Sequence, residues 1–151
     1  MLVAIEPSSG SNLPAPAPRW ARMQHKDEFD LVMSSRQRVR TSHLVLHVAL
    51  DDTSIQTTGP THRLGLVVPK RWARRAVTRN AIRRLSLVAF QQIWKQLPAG
   101  GYVLRLAHAW DPTHYPSAWS RALSRSVRAE VNELLQMAVT MPSAMKNRGQ
   151  A

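Results

Sequence analysis

The sequence predicts an α+β fold: a two-layer sandwich of one sheet and helices, in the order helix-strand-strand-helix-strand-helix. Three observations carry that prediction. Residues 43–50, 63–69 and 102–108 are short, apolar and of strand period. Two longer stretches, 73–96 and 116–138, repeat their apolar residues at helical spacing. The 151 residues suffice for one domain with a substantial core plus tails, and no internal repeat divides them.

Residues 1–22 hold four prolines, among them Pro14, Pro16 and Pro18, and little to bury; a disordered N-terminal extension is expected, with Met23 as an alternative first residue. The folded domain is expected over 23–138 and a flexible tail over 139–151. Asp27 to about Arg36 reads as a short helix, its acids favouring the N-terminal end and Phe29, Val32 and Met33 sharing a face. Arg36, Arg38 and Arg40 follow as a basic connector. In the strand from His43 to Leu50, Leu44, Leu46, Val48 and Leu50 form the core face, while Val45 and His47 point to a face that lines a wet cleft. A polar loop spans 51–62. The second strand, Arg63 to Pro69, ends on a proline suited to a strand terminus. A long helix from Ala73 or Arg74 to Trp94 or Gln96 stops before Pro98, and Gly100-Gly101 makes a turn. Tyr102 to His108 is the third strand. Pro116 sits in the first turn of a last helix that ends near Ala138.

The long helix carries the charge. From Lys70 to Leu85, seven of sixteen side chains are cationic and none is acidic. Helical spacing puts Val77, Ala81, Leu85 and Val88 on one side, read as core, and Arg75, Arg79 and Arg83 on the other, with Asn80 and Arg84 at the margin. Arginines at i, i+4 repel one another, and no glutamate offsets them. No Asp or Glu occurs between Asp52 and Asp111, and the formal net charge is +12. Arginine far outnumbers lysine, and its planar fork suits phosphate and base stacking. The pattern is that of a surface built for a polyanion, with nucleic acid ahead of an anionic membrane.

Other classes fit less well. Without cysteine there are no disulfides, thiolate metal sites or thiol nucleophiles, which is consistent with the cytoplasm. No apolar run is long enough to span a bilayer, and the N-terminus lacks the pattern of a secretory signal. His43 and His47 share strand parity but lack a third metal ligand, and His108 and His114 are no stronger. The acids are scattered, so no carboxylate cluster for two-ion phosphodiester cleavage is in view. Neither a phosphate-binding glycine loop nor a nucleophile elbow occurs. Phe29, Val45 and His47 are read either as core or as a platform for unpaired bases. A small ribosomal or regulatory RNA-binding protein accounts for the charge as well. A DNA-binding regulator and a self-sufficient nuclease follow at a distance.

The strand Arg63-Leu64-Gly65-Leu66-Val67-Val68-Pro69-Lys70-Arg71, followed by Ala76-Val77-Thr78-Arg79-Asn80-Ala81-Ile82-Arg83-Arg84-Leu85, resembles the bacterial ribonuclease P protein component. That family places a Gly-Leu strand before a helix reading Ala-Val-x-Arg-Asn-Arg-x-Lys-Arg-Leu. The resemblance runs from about Met23 to Leu135. Ala81 stands where the family has the second arginine of Arg-Asn-Arg, Leu87-Val88 where it has Arg-Glu, and Met33 where Phe is common. The resemblance implies a sandwich with a left-handed βαβ crossover and a 1:1 ribonucleoprotein that removes the 5′ leader of precursor tRNA, with Mg²⁺ held mainly by the RNA subunit. It further implies that Lys70, Arg71, Arg74, Arg75, Arg79, Asn80, Arg83 and Arg84 bind RNA. Phe29, Met33, Val45 and His47 would line a cleft for the single-stranded leader.

Overall fold

The structure is a computed structural model that describes residues 19–51 and 59–150, with side chains described as far as Met141. Most of the expected disordered extension, most of the 51–62 loop and the tail's side chains lie outside the described residues. The elements are β1 (Trp20–Arg22), α1 (Lys26–Met33), β2 (Arg38–Arg40), β3 (Leu44–Leu50), β4 (His62–Val67), α2 (Ala76–Ile93) with a 3₁₀ turn (Trp94–Gln96), β5 (Gly100–Leu106) and α3 (Arg121–Gln150). Among the described residues the sheet has five strands in the order β1-β4-β5-β3-β2. Strands β1, β4 and β5 run parallel to one another, while β3 is antiparallel to β5 and β2 to β3.

Three of those strands are the expected ones. The other two correct the sequence reading. Trp20–Arg22 was expected in the disordered extension, yet it pairs with His62–Leu64, and the Trp20 ring meets Phe90 edge-on at 5.4 Å. Residues 20–22 therefore belong to the folded domain. Arg38–Arg40, expected as a connector, is an edge strand on β3. Gly100 and Gly101 lie in β5, opposite Leu50 and Ala49, and do not form a turn.

One face of the sheet carries the larger core. Leu44, Leu46, Val48, Leu64, Tyr102, Leu104 and Leu106 pack there beneath α2 and α3. The other face is covered in part by α1, where Met23, Val32 and Val103 are buried and Phe29, Met33, Ala49 and Val67 pack around them. The helices thus flank the sheet on both sides; α1 does not join the layer of α2 and α3. Two glycines permit this closeness. A Cβ on Gly65 would lie 2.5 Å from the Phe29 ring, and one on Gly101 would lie 2.6 Å from Val32.

Helix α2 buries Ile82, Ser86, Ala89, Phe90 and Ile93. The expected core side is not the buried one: Val77 is 60% exposed and Val88 43%, and Ala81 and Leu85 are half-buried. Both sets fit a helical period, but burying Phe90, Ile82 and Ile93 removes more apolar area from water. The helix also starts later than expected. Arg75 is its N-cap, in extended conformation, so Arg74 and Arg75 precede the first turn.

Helix α3 begins at Arg121, where the Ser120 hydroxyl accepts the Leu123 N–H at 3.1 Å. Pro116 lies outside it, five residues upstream of its first residue. The backbone stays helical to Gln150, past the expected end near Ala138. Pro142 removes one backbone donor from that helix without ending it.

Candidate nucleic-acid interface

Between β4 and α2 the chain makes a tight turn. The Trp72 and Ala73 N–H groups both donate to the Pro69 carbonyl at 3.2 Å, and buried Ala73 anchors the turn to the core. That leaves Lys70, Arg71, Arg74 and Arg75 exposed, with Asn80 and Arg84 exposed on the helix beyond. Arg79 and Arg83 are half-buried. Arg79 Nη1 donates to the Ala73 carbonyl at 3.0 Å and the Arg74 carbonyl at 2.8 Å. It therefore holds the turn that presents its neighbours. Among the described residues none of these cations pairs with a carboxylate. The first turn of α2 contains no acid either. Its leading N–H groups add positive character to that of the side chains.

A second cationic surface was not foreseen. Across the α1 face of the sheet, register places Arg40, Val45, Arg105 and Val67 in one row and Arg38, His47, Val103 and Gly65 in the next. Arg38 and Arg40 are exposed and Arg105 is half-buried. Arg105 Nε donates to His47 Nε2 at 3.3 Å. Burial, then the charges of Arg38, Arg40 and Arg71, pull the Arg105 pKa down, so four arginines share this region. On the same face Arg63 is neutralised by Asp51 at 2.9 Å, but these four have no such partner among the described residues. Burial, then Arg105 and Arg38, lowers the pKa of His47, favouring the neutral ring.

The four residues expected to line a wet cleft are near one another but more covered than that. Phe29 and Met33 are half-buried on the inner side of α1. Val45 and His47 are each only 2% exposed, because α1 packs on β3 and β5 and the long arginine side chains of the neighbouring strands surround them. His47 Nδ1 has no hydrogen-bond partner among the described residues. His43, its companion in sequence, does not join this face: its ring pairs with Glu130 of α3 and stacks on Trp110 at 4.1 Å.

The residues missed were Arg38, Arg40 and Arg105. Arg105 had a signal, a lone cation in the middle of an apolar strand. Arg38 and Arg40 had one too, since they alternate about Val39 with strand period.

The sequence profile described as Ribonuclease P matches residues 17–138. A ribonuclease P protein component of Burkholderia mallei is 37% identical over 121 residues, covering 80% of this chain and 84% of that protein. Its counterpart in Paraburkholderia xenovorans is 36% identical over 121 residues, with 80% and 82% covered. Among solved structures, the RNase P protein of Staphylococcus aureus superposes with a TM-score of 0.58 at 18% identity, covering 78% of this chain and 94% of that one. That of Thermotoga maritima gives 0.54 at 17%, with 78% and 96% covered.

Proposed function

Since this chain belongs to the ribonuclease P protein family, we propose that it binds a catalytic RNA and the 5′ leader of precursor tRNA, so that the leader is removed by hydrolysis of one phosphodiester bond. The observation that carries this reading is the unneutralised cationic surface, formed by Lys70, Arg71, Arg74 and Arg75 at the turn and by Arg38, Arg40 and Arg105 on the sheet. Two polyanions must meet for the reaction, and this chain supplies the charge that lets them approach. The turn and the outer face of α2, with Asn80 and Arg84, contact the catalytic RNA; Asn80 offers both a donor and an acceptor to a ribose or base edge. The α1 face of the sheet takes the leader, with Phe29 and Met33 at its apolar edge.

The bond-breaking step belongs to the RNA subunit, and the Mg²⁺ it uses is held there. Asp51 pairs with Arg63, Glu130 with His43, and Asp111 with Thr113 and His114. Among the described residues no three His, Asp or Glu side chains are grouped to hold an ion. The complex is expected to contain one protein and one RNA. Its expected compartment is the cytoplasm; among the described residues no helix is long and apolar enough to cross a membrane.

Reconstitution tests the proposal. Purified protein is mixed with a bacterial ribonuclease P RNA and precursor tRNA at low Mg²⁺, where charge repulsion between the RNAs is least screened. Leader removal is expected to accelerate severalfold over RNA alone. No acceleration at any protein concentration sinks the reading.

A further inference from the structure

A cavity of about 660 Å³ opens between the turn that leads into α2 and the loop that runs from β5 to α3. That is within the range of about 300–1,000 Å³ of small-ligand sites. Its lining combines two chemistries: the cationic Arg71, Arg74 and Arg75, and the aromatic Trp72, Trp110 and Tyr115. Pro112 and Pro116 add flat apolar surface at the loop side, and among the described residues no Asp or Glu lines it.

The walls are held in place from behind. Thr78 of α2 donates its hydroxyl to the Ala118 carbonyl, tying the helix to the loop. The Trp110 indole donates to Ser126 Oγ at 2.7 Å, and its ring is stacked on His43, which Glu130 fixes. Asp111 organises the loop: its carboxylate accepts the Thr113 N–H at 2.9 Å and the Thr113 hydroxyl at 2.7 Å. Trp72 is the unfinished member. Its ring lies 5.3 Å from the Arg71 guanidinium, and its buried Nε1–H has no acceptor among the described residues.

We propose that this cavity takes one unpaired nucleotide of an RNA strand, its base against the aromatic and proline walls and its phosphate among Arg71, Arg74 and Arg75. The proposal rests on the RNA-binding reading above and deepens it. Aromatic faces accept any base by stacking, and three arginines without a carboxylate match the negative charge that follows every base in RNA. Arg71 also neighbours Arg105 on the sheet, so the cavity adjoins the other cationic surface. The nucleotide can come from the catalytic RNA or from the precursor tRNA.

Affinity measurements on the full-length protein separate the possibilities. Trp72→Leu and Tyr115→Leu are each expected to weaken RNA binding about tenfold, as loss of one stacked base does. Trp72→Phe and Tyr115→Phe are expected to stay within about twofold of wild type. A loss with the catalytic RNA alone identifies that RNA as the source; a loss confined to precursor tRNA identifies the substrate. Indole N–H NMR spectra provide a readout without any altered side chain. Titration with adenosine 5′-monophosphate is expected to move the Trp72 indole resonance saturably, and inorganic phosphate is expected to move it less. If folded leucine variants bind both RNAs as wild type does, or if phosphate moves the indole as AMP does, the nucleotide pocket is overturned. If wild-type protein binds neither RNA, the RNA-binding reading itself fails.

Discussion

Gly65 and Phe29 are joined by a contact that no other residue at position 65 would allow. An alanine Cβ there would meet the ring at 2.5 Å, and the glycine lies inside a strand, where the misfit cannot be relieved by the backbone alone. Gly65→Ala is expected to cost about 1–3 kcal/mol as overpacking, read as a drop in thermal midpoint. Adding Phe29→Leu should recover part of that drop; no recovery would mean the ring is not the obstacle. Arg79 shows how a residue can have two roles. Its Nη1 holds two carbonyls of the turn, and other N–H groups of its guanidinium remain available to phosphate. Arg79→Ala should therefore lower the thermal midpoint and also weaken RNA binding, with the salt slope shallower by about 0.7–0.9. An unaltered midpoint would remove the structural role, and an unaltered slope would remove the phosphate contact. His47 gives a pH dependence. Its native pKa is lowered from 6.5 by burial and by Arg105 and Arg38. The unfolded chain takes up the proton first as pH falls through 6.5, so the native state loses stability on acidification. Wild type minus His47→Gln midpoints, followed downward from neutral pH, should fall; a flat difference would refute this.

At the scale of elements, the α1 face of the sheet has a specific consequence. Arg38 and Arg40 come from β2 and Arg105 from β5, so pairing in the sheet is what gathers them. If that face grips the leader, Arg105→Gln and Phe29→Ala should each weaken precursor tRNA about tenfold, the size expected for one charge-assisted or stacking contact, while mature tRNA changes little. Equal losses for both tRNAs would move the leader elsewhere. The same elements show what can be read from sequence. Strands β3, β4 and β5 are legible because each alternates or sustains apolar residues over six or seven positions. Strands β1 and β2 have only three residues each, and they owe their state to a neighbour's unpaired edge; the alternation about Val39 is too short to mark β2 without that edge. Helix α2 is legible as a helix, but its buried side is not legible from its period. Val77, Ala81, Leu85 and Val88 fit the period as well as Ile82, Ser86, Ala89 and Ile93 do; the period alone does not choose, and the larger apolar area on the Ile82, Phe90 and Ile93 side does. For the candidate site, Lys70, Arg71, Arg74, Arg75, Asn80 and Arg84 are exposed as a charged face requires, whereas Arg79 and Arg83 are half-buried and Val45 and His47 are buried.

Across the whole molecule the fold has an unusual order of assembly. The central strand β5 is the last one in the chain, and it separates β4 from β3. Until residues 100–106 leave the ribosome, β3 and β4 have no strand between them, and β1 can find only β4. Folding must therefore wait for nearly the full domain, through parallel pairings that are slow because their partners are far apart in sequence. During that interval the arginines of α2 are already made, while the turn that spaces them is not yet anchored. A nascent chain in this state is a flexible polycation beside ribosomal RNA, and it becomes a shaped surface only when the last strand closes the sheet. A chain released at residue 99 is expected to stay open to protease along its whole length, whereas one released at residue 141 resists it.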